Sequence, residues 1–496
     1  MSNSTLLTTI YKKLEEIDHL QGVMTLLGWD QSTMMPAAAA AGRAQQRALM
    51  ASLLHTRRSD PALLDAVDTL AARSSELDLD DRIVVRELKR DCDRARKLPS
   101  EHVAERARTA AESYTAWKSA RPRDDFASVQ PFLESLLALN RREAELIGYQ
   151  TEPYDALLDA FEPEAKIAEV GPLLLRLGEK LSKLIPQIQQ RQADFRPLSP
   201  FELTIDTQME LCRLVCERIG FSFDSGRLDA TTHPFAASPG PGDFRITTRF
   251  RPADPLSSLY STLHEAGHAF YERGLPASHR SSPLGQSVSL GIHESQSLLW
   301  EDVIGRSEAF LEFLQPLLAA VSAGSFSPDP RALWERVNVV QPSLIRVDAD
   351  EVTYSLHIVI RMELELALLN DELSVKELPS AWDDRYRHYL GVTAPSVKDG
   401  VLQDVHWFSG AVGYFPTYSL GKLHAAMFYE QMQQELPTLD DCIRSGNFTP
   451  LHQWLTDNVH QHGRRYSSTE LVRRCCNSEP NEDALIRYVQ QKFGLD

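Results

Sequence analysis

The chain has 496 residues, of which 43% are hydrophobic and 24% charged, a composition typical of a folded globular protein. Its formal net charge is -17 and it contains no basic tract, which argues against a nucleic-acid partner. The length would accommodate roughly two or three average domains, or one large helical enzyme with a deep cleft.

The N-terminal segment predicts an amphipathic helix. Leu6, Ile10, Leu14 and Ile17 recur at three- and four-residue steps, and charged residues interrupt the apolar run. There is no basic n-region of a signal peptide, and no apolar run approaches the ~20 residues that span a bilayer. The six scattered cysteines form no CxxC pair, which is typical of a reducing compartment. We therefore expect a cytoplasmic protein without a membrane segment.

Helical periodicity dominates the rest of the chain. It returns with Leu173, Leu177, Leu181 and Ile185, and again in 297–322 and 352–369. Helices are expected to stop where proline and glycine cluster, at 195–200, 234–242, 326–330 and 391–400. The predicted fold class is mostly α.

One segment departs from the helical pattern. Residues 243–250 alternate apolar and polar side chains, which predicts a strand, and the stretch ASPGPGD that leads into it predicts a turn. The strand lies just before the helix that carries the motif described next, so we expect a small β-sheet beside that helix. An extended peptide can pair with the edge of such a sheet.

The motif His264-Glu265-Ala266-Gly267-His268 predicts a metal site. Positions four apart lie on one face of a helix, so His264 and His268 can bind one ion. Glu265 projects beside them and could take a proton from a metal-bound water. Gly274 stands where the C-cap of this helix is expected.

The third ligand must come from elsewhere in the chain. The extended motif of metzincins would need glycine at 271 and histidine at 274, where this chain has Tyr271 and Gly274. Glu294, at the start of a following helix, is the candidate, and His293 is its competitor. We favour Glu294, because a carboxylate commonly completes a two-histidine catalytic site.

The predicted donor set suits Zn²⁺, with Co²⁺ or Mn²⁺ as possible substitutes. Such a site keeps one position open for water. Glu301 and Asp302, further along the same helix, could support the ligands or be plain surface charges. We interpret them as surface charges.

In six ordered segments, the sequence resembles the carboxypeptidase Taq family of metallocarboxypeptidases. The residues that carry the resemblance are HPF at 233–235, DFRIT at 243–247, HEAGH at 264–268, IHESQ at 292–296, IRVDAD at 345–350 and GVLQDVHW at 400–407. The resemblance implies a saddle-shaped helical fold with a deep central groove, and commonly a homodimer. It also implies that single residues are removed from free peptide C-termini with broad specificity. We expect one catalytic domain over 1–496, with its metal-site core roughly at 230–420.

The resemblance suggests roles for several polar residues. Arg346 is the candidate for gripping the substrate's free carboxylate, because a guanidinium matches a carboxylate with two hydrogen bonds. The alternative for Arg346 is an ion pair with Asp348 or Asp350. His233 and His406 are candidate hydrogen-bond donors to the substrate's carbonyl or backbone.

A phenol is expected to stabilise the oxyanion of the tetrahedral intermediate. The sequence offers Tyr418 and Tyr414, and we favour Tyr418. Asp243 and Arg245 are expected to brace each other, and Gln403, Asp404 and Trp407 to support His406. Leu298 departs from the pattern, because a basic residue is expected there.

Two other functions are compatible with these residues. An oligoendopeptidase would use the same zinc chemistry without a carboxylate anchor, and a helical peptide-binding protein would keep only a vestigial metal site. The intact Glu265 argues against the second. Trp29 and Asp30, and three histidines near the C-terminus, are interpreted as structural; those histidines are His452, His460 and His462.

Overall fold

The computed structural model describes residues 1–495, and helices account for most of them. The helices are α1 Asn3–Thr33, α2 Ala40–Arg58, α3 Pro61–Ala71, α4 Leu79–Lys97, α5 Ser100–Ala120, α6 Gln130–Ile147, α7 Pro153–Leu158, α8 Ile167–Gln192, α9 Ile205–Arg218, α10 Pro255–Gly274, α11 Leu290–Leu298, α12 Glu308–Val321, α13 Pro330–Val337, α14 Tyr354–Leu369, α15 Leu378–Leu390, α16 Pro416–Glu435, α17 Leu439–Arg444, α18 Thr449–Asn458, α19 Ser468–Cys476 and α20 Asp483–Phe493. The strands are β1 Gly226–Ala230, β2 Ala236–Gly240 and β3 Asp243–Thr248. The predicted mostly α fold with one small sheet is confirmed.

Most predicted helices are present, but one is interrupted. The segment 297–322 begins in α11, which continues as a π-helical turn over Leu299–Ile304 before α12 begins. A π-helical turn often marks a functional site in a helix. Among residues 1–495, no helix combines the length and apolar character that a membrane crossing requires.

The three strands form one sheet in the order β1-β3-β2. The strand predicted from alternation is the central one, β3, which pairs in parallel with β1 and antiparallel with β2. The turn predicted for ASPGPGD is wrong over its first half, because Ala237 to Gly240 belong to β2. The pairing shifts register between Ala237 and Gly240, and such an irregularity accommodates Pro239, which lacks an N–H to donate.

The N-terminal helix is attached to the sheet by an aromatic contact. The guanidinium carbons of Arg227 and Arg245 lie 4.7 and 4.8 Å from the Trp29 ring centroid. The expected brace is also present, since Arg245 Nε donates to Asp243 Oδ1 at 2.7 Å. Trp29 therefore has the structural role that its position suggested.

Two glycines allow the helices around the motif to touch through their backbones. A Cβ at Gly267 on α10 would lie 2.5 Å from the Gln296 carbonyl oxygen of α11. A Cβ at Gly421 on α16 would lie 2.8 Å from Cβ of Glu294. Both distances are too short for a methyl group, so α10, α11 and α16 can approach this closely only with glycine at these positions.

We expect Gly267→Ala to destabilise the protein by about 3 kcal/mol, because its methyl group would meet backbone atoms that cannot move independently. Gly42→Ala is the matched control: Gly42 lies in α2 with no other atom within 4 Å of its added Cβ. There alanine should stabilise by roughly 0.5–1 kcal/mol. Urea unfolding measures both, and equal stabilities of the two variants would contradict the close approach.

Buried histidines make the folded state sensitive to acid. Burial lowers the pKa of His424 on α16 from 6.5 to about 4, and burial lowers the pKa of His460 to about 3. The unfolded chain therefore binds these protons at higher pH than the folded chain does. It follows that stability is lost as the pH falls from 6.5 towards 4.

We expect His424→Gln to remove one group that takes up a proton when the chain unfolds. The free energy of unfolding should then fall less steeply between pH 6.5 and pH 4, by about 1.4 kcal/mol per pH unit. His19→Gln is the control, because the His19 side chain is 72% exposed. Urea unfolding across this pH range measures both slopes, and an unchanged slope for His424→Gln would count against the buried neutral imidazole.

Candidate metal centre and active site

The three predicted ligands meet between α10 and α11. One ligand atom from each of His264, His268 and Glu294 can be chosen so that all lie within 4.8 Å of one another. The Nε2 atoms of His264 and His268 are 3.9 and 3.7 Å from Glu294 Oε2. These separations suit one ion bound by two imidazoles and a carboxylate.

The other ring nitrogens have partners of their own. His268 Nδ1 lies 3.2 Å from the backbone carbonyl oxygen of His293, so Nδ1–H donates and Nε2 keeps its lone pair for an ion. The His293 side chain turns to Glu272, at 3.1 Å from Nε2 to Oε1. His293 therefore supports a ligand through its backbone, and Glu294 is the residue of this pair that faces the two imidazoles.

Glu301 is a partner of His264, and its interpretation as a surface charge is wrong. Its Oε2 lies 2.8 Å from His264 Nδ1. The surface interpretation also fails for Asp302, which is buried and accepts from Lys422 Nζ at 2.8 Å. The spacing of seven residues between Glu294 and Glu301, two helical turns, was a signal that could have indicated the shared face.

We expect Glu301→Ala to weaken metal affinity by about 10- to 100-fold, because the Nδ1 partner of a metal-binding histidine fixes its ring and raises its basicity. Competition with a chromogenic chelator measures the affinity. Glu312→Ala on α12 is the control, since within residues 1–495 its carboxylate pairs only with Arg444 on the surface. An affinity within twofold of the unsubstituted protein would contradict the role of Glu301.

The electrostatics of the cluster fit a cation. Burial raises the pKa of Glu265 to about 7 and also raises the pKa of Glu294. Burial opposes a charge on His264, yet the carboxylates of Glu294 and Glu301 raise its pKa to about 10. Burial lowers the pKa of His268 well below its usual value, so its imidazole is neutral and can bind an ion. A divalent cation would compensate the negative charge of the neighbouring carboxylates.

A cavity of about 570 Å³ opens in front of these residues. His264, Glu265 and Glu294 line it together with Arg346 and two phenols, those of Tyr414 and Tyr418. The Tyr414 and Tyr418 ring centroids lie 5.3 Å apart. The chain thus brings the predicted base, the predicted anchor and both candidate phenols to one cavity.

Arg346 pairs with a carboxylate other than the two suggested by its neighbourhood in the sequence. Its Nη2 donates to Asp404 Oδ1 at 2.8 Å, whereas Asp348 and Asp350 form no ion pair with it. Its Nη1 donates to the Tyr354 hydroxyl at 3.2 Å. The predicted alternative partners are therefore wrong. Asp404, expected to support His406, lies 3.7 Å from His406 Nδ1 and also holds Arg346.

Two buried cations near this cavity are not indicated by any motif in the sequence. Arg361 is fully buried, and its Nε donates to Asp404 Oδ2 at 2.6 Å. Lys422 lines the cavity and is bound to Asp302. Both lie on regular helices, where their spacing is the same as that of ordinary surface charges, so the sequence held no signal for either.

His406 and His233 occupy different environments. His406 Nε2 lies 3.4 Å from the Tyr418 hydroxyl, and burial lowers its pKa to about 4, so the ring is neutral near pH 7. His233 is exposed. The cavity is lined by the residues that follow it, Pro234 to Ala236. A substrate contact of His233 stays a prediction.

The site has two imidazoles on one helix, a carboxylate on the next, and a buried carboxyl that lies between the two histidines in the sequence. This arrangement defines the class of metallopeptidases with an H-E-x-x-H motif. The sequence profile of the carboxypeptidase Taq (M32) metallopeptidase family matches residues 9–493, and the chain belongs to that family. The resemblance in the sequence is confirmed. The chain is a metallocarboxypeptidase, a peptide hydrolase.

Named relatives span almost the whole chain. It is 40% identical to thermostable carboxypeptidase 1 of Thermus thermophilus, covering 97% of this chain and 96% of the relative. It is 35% identical to carboxypeptidase 1 of Bacillus subtilis, with the same two coverages. The crystal structure of an M32 carboxypeptidase from Deinococcus radiodurans is similar with a TM-score of 0.94 at 36% identity, covering 99% of each chain. The solved structure of Pyrococcus furiosus carboxypeptidase has a TM-score of 0.95 at 32% identity, also covering 99% of each chain.

Proposed function

We propose that the protein releases single residues from free peptide C-termini, with broad specificity, using Zn²⁺ bound by His264, His268 and Glu294. The observation that carries this proposal is the convergence of the three ligand atoms within 4.8 Å, beside a buried Glu265. When bound, the ion would polarise the scissile carbonyl and make water more acidic. Co²⁺ or Mn²⁺ could replace zinc in this donor set.

Glu265 acts as the general base. Its carboxylate accepts a proton from the attacking water as the water oxygen bonds to the scissile carbonyl carbon. It then delivers the proton to the amide nitrogen as the C–N bond breaks, so the released residue leaves with a neutral amine. Burial raises the pKa of this carboxyl to about 7, which suits a group that must both accept and return a proton near neutral pH.

The Tyr418 phenol donates a hydrogen bond to the oxyanion, and His406 positions it. Nε2 of neutral His406 lies 3.4 Å from the phenol oxygen and can accept a hydrogen bond from the phenol in the resting state. Tyr414 lines the same cavity and contributes to substrate binding. His233 contributes a further hydrogen bond to the substrate backbone.

Arg346 anchors the terminal carboxylate. Asp404 engages Nε and Nη2 of the guanidinium, which leaves Nη1, now bound to the Tyr354 hydroxyl, as the nitrogen best placed to bind substrate. Arg361 shares Asp404, so the charges of two arginines are offset by one carboxylate. The surplus positive charge favours an anionic ligand at this end of the cavity.

A peptide and its C-terminally amidated twin test the carboxypeptidase reaction. The free peptide should lose its terminal residue, and the twin should react at least about tenfold more slowly because it lacks the charge that Arg346 binds. Mass spectrometry of the products follows both. Equal rates, or cleavage at internal bonds, would instead favour the oligoendopeptidase alternative.

The chain acts as one catalytic domain over 1–496. Lys492 near its C-terminus forms an ion pair at 2.5 Å with Glu351, which lines the active-site cavity, so distant parts of the chain build one site. The saddle shape, a homodimer and a cytoplasmic location are further parts of the proposal. All six cysteines are free, which is consistent with a reducing compartment. Light scattering of the purified protein tests the dimer.

A further inference from the structure

A second cavity of about 650 Å³ continues from the metal centre along the first half of α10. It shares His264 and Glu265 with the active-site cavity, and its wall includes Ser257 and Ser261. Arg346 lines only the first cavity, as do both candidate phenols. The second cavity therefore meets the reacting centre and adjoins the first cavity at Val347, but Arg346 itself is not part of its wall.

The proposed reaction determines which part of a peptide enters this second cavity. A carboxypeptidase places only the terminal residue on the anchor's side of the scissile bond. All residues that precede this bond must leave the centre in another direction. The second cavity can accommodate these upstream residues. This placement of the peptide rests on the proposed function.

Three arginines line the second cavity without serving the metal centre. Arg249 and Arg251 are exposed, and Arg336 is half-buried. Arg336 donates to the backbone carbonyl of Leu198 at 3.3 Å. Neither Arg336 nor Arg251 forms an ion pair with any residue in 1–495, so their charges are available to a ligand.

The wall also contains one further arginine and four carboxylates. Arg306 is held by Asp302 and Glu301, and its charge serves the ligand network. Asp254 and Asp348 are the two exposed carboxylates of the wall. Glu265 and Glu301, the remaining carboxylates of the wall, belong to the metal centre. Arg251 and Arg336 thus present cationic groups along this wall, in a protein whose net charge is -17.

The length of α10 indicates which residues of a bound peptide would lie beside the arginines. Ser257 and His264 are seven residues apart, roughly 10 Å along a helix. An extended peptide covers that distance in about three residues. Side chains roughly two to four residues upstream of the scissile bond would then lie beside the arginines.

We propose that this arginine-lined cavity binds acidic side chains upstream of the scissile bond, so that the enzyme prefers peptides with Asp or Glu at these positions. The guanidinium groups bind the carboxylates through charge-assisted hydrogen bonds. The cavity is open to solvent, so each contact adds modestly and is weakened by salt.

The test compares two peptides of equal length and identical terminal residue, one with Glu and one with Gln at the second to fourth positions upstream of the scissile bond. The measured quantity is the ratio of their kcat/KM values. We expect a ratio of about 3–10 in favour of Glu at low salt, falling towards one in 0.5 M NaCl. In the triple variant Arg249→Gln, Arg251→Gln, Arg336→Gln the ratio should fall to about one at low salt as well.

The double variant Arg108→Gln, Arg191→Gln is the matched control, because both arginines are exposed on helices outside either cavity. It should keep the ratio of the unsubstituted protein. A ratio of one or less in the unsubstituted protein, or a ratio that survives in the triple variant, would overturn the inference while leaving the carboxypeptidase reaction intact. Failure to release the terminal residue from either peptide would overturn both proposals.

Discussion

Glu265→Gln is expected to lower kcat by about 10²- to 10⁴-fold, the usual contribution of a general base. The amide is nearly isosteric with the carboxyl, so folding and metal content should stay at their normal values. The effect should appear in kcat and much less in KM, because the proton is transferred only in the transition state. Steady-state kinetics on a short peptide, with metal analysis of the same sample, measures this.

Glu217→Gln is the control for this substitution. Glu217 is an exposed carboxylate on α9, which packs against α10 but lies outside both cavities. Its variant should turn over peptide within about twofold of the unsubstituted rate. A Glu265→Gln enzyme that processed peptide at a comparable rate would leave the chain without its proposed base and revive the vestigial-site alternative.

Glu294→Gln is expected to weaken metal binding by about 100-fold or more, because a neutral amide replaces the only anionic ligand. The side chain keeps its volume, so its contact with Gly421 is preserved. Dialysis against a weak chelator should then strip the variant and leave the unsubstituted protein loaded. Emission spectrometry gives the metal content, and the rise in Tm on adding zinc gives an independent measure.

Retention of a full equivalent of metal by the Glu294→Gln protein after this dialysis would show that another residue is the third ligand. His293 would be the first to test, although its side chain faces Glu272. The double variant with His293→Ala would then lose the ion, whereas His293→Ala alone should keep it.

The metal centre could be predicted from sequence because its residues obey local rules. His264 and His268 are four apart on one helix, and Glu294 lies in the middle of α11, four residues after its first residue and not at its start as expected. Local spacing of this kind requires no knowledge of the tertiary fold. The central strand β3 was predictable for the same reason, since its alternation is local.

The predictions that were wrong concern contacts between segments that are distant in the sequence. Asp404 holds Arg346 although 58 residues separate them, and no pattern in either segment indicates this partner. Gly274 was expected to be a helix C-cap, but it is the last residue of α10, and a Cβ there would lie 2.4 Å from His460 Nδ1. Glycine is required at 274 by a side chain from the far end of the chain, which only the tertiary structure could reveal.

The most direct test of the account is a metal analysis of protein purified without added metal, followed by reconstitution. We predict about one equivalent of a transition metal per chain, loss of activity when a chelator removes it, and recovery on adding one equivalent of Zn²⁺. Less than about half an equivalent of any transition metal, with no gain of activity on reconstitution, would contradict a catalytic centre built on His264, His268 and Glu294.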